Sequence, residues 1–103
     1  MNGSLSQLLK GKKGLVMGVA NDRSIAWTAA AAASRAGARL AFTYQNHAMA
    51  RRVVPLAESL GAEITIPCDV ADGDEIDSAF DTISEHWNSI DFVVHAIAFS
   101  DRN

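Results

Sequence analysis

Four short apolar runs, each closed by glycine or turn residues, recur along the chain at Gly14–Val19, Leu40–Tyr44, Ile64–Pro67 and Phe92–Ile97. Each is too short for a helix and long enough for a strand. None alternates strictly between apolar and polar residues, which is the pattern of parallel strands covered on both faces. The intervals between them have helical character. Ser24–Arg35 holds five consecutive alanines, Ala29 to Ala33, which favour helix and allow close approach to a sheet, and Gly37 can end it. Ala48–Leu60 sets Met49, Val53, Leu56 and Leu60 on one face and stops before Gly61, while Pro55 inside it predicts a kink or a late start. Asp74–Trp87 repeats apolar residues at Ile76, Phe80, Ile83 and Trp87, and Asp72 with Glu75 has the spacing of a capping box.

The order β-α-β-α-β-α-β, joined by right-handed crossovers, predicts an α/β fold: the first half of a Rossmann-like doubly wound parallel sheet with strand order 3-2-1-4. In a complete sheet of this kind the fourth strand is central. Without later strands "FVVHAI" would be an apolar edge prone to aggregation, so the sheet is expected to be incomplete and residues 1–103 to be the amino-terminal part of one longer domain.

A chain of 103 residues is long enough for one core. Nine Lys and Arg against twelve Asp and Glu give a net charge of −3, with the bases scattered apart from Lys10, Lys12 and Lys13, so nothing tracks a nucleic-acid backbone. The single cysteine, Cys68, has no intrachain disulfide partner and suits a reducing cytosol, where it reads as a small buried hydrophobe. No continuous apolar stretch approaches the ~20 residues needed to span a bilayer. The expected setting is cytoplasmic, away from membrane and nucleic acid.

Ligands of doubly wound sheets bind beyond the carboxyl ends of the strands, so four loop tips become candidates. After the first strand, Gly18 frees the turn of a side chain. Ser24 can cap the following helix or donate its hydroxyl to a phosphate held at the helix start, and Ala26 is small enough for close packing. After the second, Gln45 takes the place where an acid often binds the adenosine ribose; Arg51 and Arg52 further on read as a solvated face, and NADH is preferred over NADPH. After the third, Asp69 can accept from the adenine amine and the Val70 N–H can serve a ring nitrogen, although Asp69 is also a natural turn former. The acids Asp72, Asp74, Glu75 and Asp77 are placed for the helix dipole rather than for a metal. After the fourth, Ala96 and Ala98 leave room for a ribose or nicotinamide against the backbone, with Phe99 beside them. His95 is expected to be packed or backbone-bonded rather than catalytic, His47 and His86 lie in helical surface contexts, and Trp27 and Trp87 read as helix-packing residues.

Together "GVANDRSIAW", "LAFTYQN", "CDVAD" and "DFVVHAIAFSD" resemble the NADH-dependent enoyl-acyl-carrier-protein reductases of bacterial fatty-acid synthesis, a divergent branch of the short-chain dehydrogenase/reductase family. The resemblance runs from about Lys10 to the last residue. That branch replaces the usual turn glycines with a longer loop ending in Ser-Ile-Ala. It implies NADH contacts at Gly18, Ser24, Ile25, Gln45, Asp69 and Val70 and at the backbone of Ala96, Ile97 and Ala98. Phe99 and Ser100 would open the loop beside the nicotinamide, where the acyl substrate and inhibitors bind. It further implies an enoyl thioester carried on acyl carrier protein as substrate, and a homotetramer for the complete enzyme.

The family's catalytic tyrosine and lysine, a Tyr-x6-Lys element beyond the fourth strand, do not occur in these residues: the one tyrosine is Tyr44, and the lysines all precede Gly14. No catalytic residue is therefore assigned, and the 103 residues alone are expected to be inactive. Two other readings stand beside this one. The first is a noncatalytic module that binds a dinucleotide or pairs through its fourth strand. The second is another short-chain reductase acting on a carbonyl, against which His95-Ala96-Ile97-Ala98 replaces the usual Asn-Asn-Ala-Gly.

Overall fold

A computed structural model describes residues 8–19, 24–69 and 71–95. Seven elements follow in the expected order: β1 Lys13–Met17, α1 Ile25–Arg35, β2 Arg39–Tyr44, α2 His47–Ser59, β3 Ile64–Pro67, α3 Gly73–His86 and β4 Phe92–His95. The strands form one sheet in the order β3-β2-β1-β4, and all three pairings are parallel. Leu15 is flanked by Ala41 on one side and Val93 on the other.

The two faces are covered by different helices, as the crossover rule requires. Moving from β1 through β2 to β3 in one direction puts α1 and α2 on the same face, and returning to β4 puts α3 on the other. The side chains divide accordingly. Val16, Leu40 and Phe42 join Ala26, Ala30 and Ala33 of α1 and Val53 and Ala57 of α2 in one core. Leu15, Met17 and Ala41 join Ala79 and Ile83 of α3 and Trp87 in the other. The buried alanines of α1 fall at i, i+4 and i+7, so the helix lays its smallest stripe against the strands. Burial in β1 and β2 is nearly continuous, whereas the outer strands β3 and β4 are only partly covered.

Helices α1 and α2 end alike. The Ala38 N–H donates to Ala33 and Gly37 to Ser34; the Ala62 N–H donates to Ala57 and Gly61 to Glu58. This is the Schellman arrangement, with glycine in the position following the cap.

Several expectations need correction. The α2 helix starts earlier than its apolar pattern suggests, because Asn46 caps it by accepting from the Met49 N–H at 3.0 Å. It then runs without interruption through Pro55, so the late start does not occur. Asp72 caps α3, but Glu75 does not return to the Asp72 N–H. That donor is taken by the Asp69 carbonyl, and Glu75 instead accepts from the Asp69 N–H at 2.9 Å. His95 is exposed rather than packed: it and Val93, 49 % exposed, lie on the α3 side of β4, where no described helix covers them. Strand β4 is described as far as His95; Ala96 and Ile97 lie outside the described residues.

Candidate cofactor site

Because all four strands are parallel and hydrogen-bonded as neighbours, their carboxyl ends open onto one rim, β1 at its centre. At that centre β1 gives way to Gly18, which is exposed and has φ +90°, a conformation that strains any residue with a Cβ. Val19 turns back into the core at 4 % exposure. The chain is described again at Ser24, which caps α1 with its Oγ accepting from the Trp27 N–H at 3.1 Å. The first helical residue, Ile25, stands 79 % exposed, while Ala26 is fully buried against the sheet. A turn free of a side chain followed by a helix amino terminus presents N–H groups and the positive end of a dipole, which suits an anion.

At the end of β2, Gln45 is exposed and Asn46 is engaged in capping α2. The adjoining tip is fastened to it, since the Cys68 N–H donates to the Tyr44 carbonyl at 2.8 Å. Beyond β3 the backbone folds into a tight turn built on Asp69, whose Oδ1 accepts from the Ala71 N–H at 3.0 Å and whose carbonyl accepts from the Asp72 N–H at 2.9 Å. Asp69 is thus a turn former. A carboxylate has two oxygens and about four acceptor positions, so the turn does not exhaust it. Asp74 and Glu75 occupy the first turn of α3, where the dipole favours them, and no group of His, Cys, Asp or Glu among the described residues is arranged to hold a metal ion.

Cys68 lies just beneath this tip, 2 % exposed. Burial pushes its thiol up, and the charges of Glu75, Asp69 and Asp72 push in the same direction, so it stays protonated and serves as packing. At the β4 tip, His95 pairs in register with Met17.

The described residues therefore bring Gly18, Ser24, Ile25, Gln45 and Asp69 to one rim. Val70, Ala96, Ile97, Ala98, Phe99 and Ser100 lie outside the described residues. Two participants escaped the sequence reading, Asn46 and the Glu75 back-bond. Asn46 carried a signal, an amide residue three positions ahead of Met49 at a helix start.

A family model of enoyl-(acyl carrier protein) reductases matches residues 18–103. Among curated relatives, the enoyl-[acyl-carrier-protein] reductase [NADH] 2 of Rhizobium meliloti is 52 % identical over the whole chain, which covers 37 % of that protein. The corresponding NADH enzyme of Rickettsia typhi is 47 % identical over 95 % of the chain and 38 % of its own length. Among solved structures, the enoyl-(acyl-carrier-protein) reductase of Anaplasma phagocytophilum in complex with NAD superposes with a TM-score of 0.87 at 53 % identity. This covers 93 % of the chain and 37 % of that structure. The chain thus spans little more than a third of the length of the relatives it matches.

Proposed function

The chain belongs to the enoyl-(acyl carrier protein) reductase family, and from that premise we propose that it is the cofactor-binding part of an NADH-dependent enoyl-[acyl-carrier-protein] reductase of type II fatty-acid synthesis. The relatives that bear this name use NADH, and the Anaplasma structure holds NAD. The observation that carries the proposal is the meeting of Gly18, the Ser24-capped start of α1, Gln45 and the Asp69 turn along one rim of a parallel sheet.

These residues fit a dinucleotide. Gly18 and the first N–H groups of α1 would receive the pyrophosphate, Ser24 adding its hydroxyl. Gln45 would meet the adenosine ribose without repelling or strongly attracting a further charge. Asp69 would accept from the adenine amine, with Val70 as backbone donor. Ile25 offers an apolar surface at the mouth. Ala96, Ile97 and Ala98 would let ribose and nicotinamide approach the backbone, and Phe99 and Ser100 would begin the wall of the acyl site.

When bound, the nicotinamide supplies the hydride that saturates the β-carbon of a trans-2-enoyl thioester. The chain's own residues hold and orient; none of the 103 is a Tyr-x6-Lys pair that could manage the proton on the enolate. In this reading residues 1–103 form the amino-terminal part of a single Rossmann-type domain in a cytoplasmic homotetramer, with the substrate delivered on acyl carrier protein. No described helix is long and apolar enough to cross a membrane. The proposal is tested by following NADH oxidation by the full-length protein with crotonyl-coenzyme A: turnover dependent on the enoyl thioester supports it. Turnover with carbonyl substrates and none with the enoyl thioester would replace it with the carbonyl-reductase reading.

A further inference from the structure

On the α3 side of the sheet, β4 carries a surface that the described helices leave bare. Strand side chains alternate, so Val93 and His95 share one face, that of their β1 neighbours Leu15 and Met17 in the α3 core. Leu15 and Met17 are buried there, whereas Val93 is 49 % exposed and His95 is exposed as well. His95 has no hydrogen-bond or ion-pair partner among the described residues. It is also the residue immediately before Ala96, whose backbone the cofactor reading assigns to ribose and nicotinamide.

We propose that the chain beyond residue 103 covers this face and that His95 is a positioning residue: its imidazole hydrogen-bonds the covering segment and so fixes the tip of β4, and with it the backbone of Ala96, Ile97 and Ala98, beneath the nicotinamide end of NADH. The inference rests on the cofactor reading above. Handedness supports the choice of occupant. A right-handed crossover from β4 to a further parallel strand on its free edge runs in the same direction as the one from β3 to β4, so its connecting segment lies on the same face as α3. The chain spans little more than a third of the length of its relatives, which leaves ample chain for that segment. Beneath it Val93 gains by losing water, but an imidazole that loses water needs a hydrogen-bond partner in exchange. A neutral imidazole offers one donor and one acceptor on two sides of its ring, so it can tie the strand tip to the cover in a single orientation.

The test is calorimetric titration of the full-length protein with NADH, with melting temperatures and steady-state kinetics on crotonyl-coenzyme A beside it, for wild type, His95→Leu, His95→Asn, His95→Gln and Val93→Ala. Leucine fills the space but leaves the facing polar group unsatisfied, so that variant is expected to bind NADH about tenfold more weakly and to raise KM for NADH more than it lowers kcat. The amide of asparagine reproduces the Nδ1 position and that of glutamine the Nε2 position, so one of the two recovers most of the affinity. Val93→Ala loses packing on the same face; its melting temperature falls while its NADH affinity stays within about twofold of wild type. Wild-type NADH affinity in His95→Leu, an equal loss in all three His95 variants, or as large a loss in Val93→Ala overturns the inference alone. If His95→Leu does not fold, wild-type affinity in both amide variants overturns it, and a loss in only one of them supports it. Failure of wild type to bind NADH overturns the cofactor reading and this inference with it.

Discussion

The Trp87 indole Nε1 donates to Glu63 Oε1 at 3.1 Å, tying the residue that ends α3 to the one that precedes β3. The same carboxylate receives the Arg39 guanidinium in bidentate fashion, at 2.6 and 2.7 Å, and that guanidinium lies 5.9 Å from the centre of the Trp87 ring. Three elements that enter the sheet from different parts of the chain are thereby fastened at the end opposite the rim. Trp87 is 2 % exposed and belongs to the α3 core. Trp87→Ala is expected to destabilise the protein by about 3–5 kcal/mol, as for other large buried aromatics. Denaturant unfolding measures it, and a loss below that of an ordinary surface substitution contradicts the packing described.

The Arg39 hydrogen bonds hold the Glu63 carboxyl below the usual carboxylate range, against burial, which raises it, with the Trp87 N–H adding to the lowering. A depressed folded value contributes stability that is complete above the ordinary carboxylate range and is lost as pH falls through the lowered folded value. Glu63→Gln should therefore be less stable than wild type at neutral pH and equal to it in acid. Thermal melts across that range decide; a difference that persists or grows at low pH contradicts the assignment.

Gly14 stands beside Phe92 in the β1–β4 register, and a Cβ at position 14 would run into the Phe92 ring. Gly14→Ala should cost about 1–3 kcal/mol by overpacking. Phe92→Leu should recover part of that loss in the double variant, a coupling expected of residues in contact. Strict additivity in the cycle would show that the two do not meet.

Ser24 can be asked separately about capping and about phosphate. Ser24→Ala removes the bond to the Trp27 N–H and should cost about 1 kcal/mol. Ser24→Asp keeps a good cap but sets a negative charge at the helix start, so stability should hold while NADH affinity drops more than for Ser24→Ala. Unchanged NADH affinity in the aspartate variant would place the pyrophosphate elsewhere.

Cys68 should resist alkylation in the native protein at neutral pH and react readily once unfolded, since burial and the neighbouring acids disfavour its thiolate. Cys68→Ala should preserve NADH binding. Fast native-state labelling, followed by mass spectrometry, contradicts the buried, protonated thiol.

Much of the architecture was legible because it is written in local signals. Glycines stop α1 and α2 where the Schellman bonds form, and the alanine stripe of α1 is the face that meets the sheet. Strand order followed from right-handed crossovers together with the doubly wound pattern that alternating strands and helices build. What stayed hidden depends on partners distant in sequence: Arg39 and Trp87 each lie 24 residues from Glu63, and nothing local marks either as its partner. A late start at Pro55 does not occur because the rest of α2, with Val53 and Ala57 buried, continues the helix past one missing N–H. Glu75 has the capping-box spacing, but the Asp69 carbonyl had already taken the donor it was expected to meet. His95 has the setting of a packed residue because its strand is apolar; it lies on the α3 side of the sheet, but no described helix reaches far enough to cover it.

A crystal structure of the full-length protein with NADH decides whether one rim of this sheet grips a nicotinamide dinucleotide. Pyrophosphate is expected over Gly18 and the start of α1, ribose at Gln45 and adenine at the Asp69 turn. A dinucleotide bound at the opposite end of the strands, beside Arg39, Glu63 and Trp87, would contradict it.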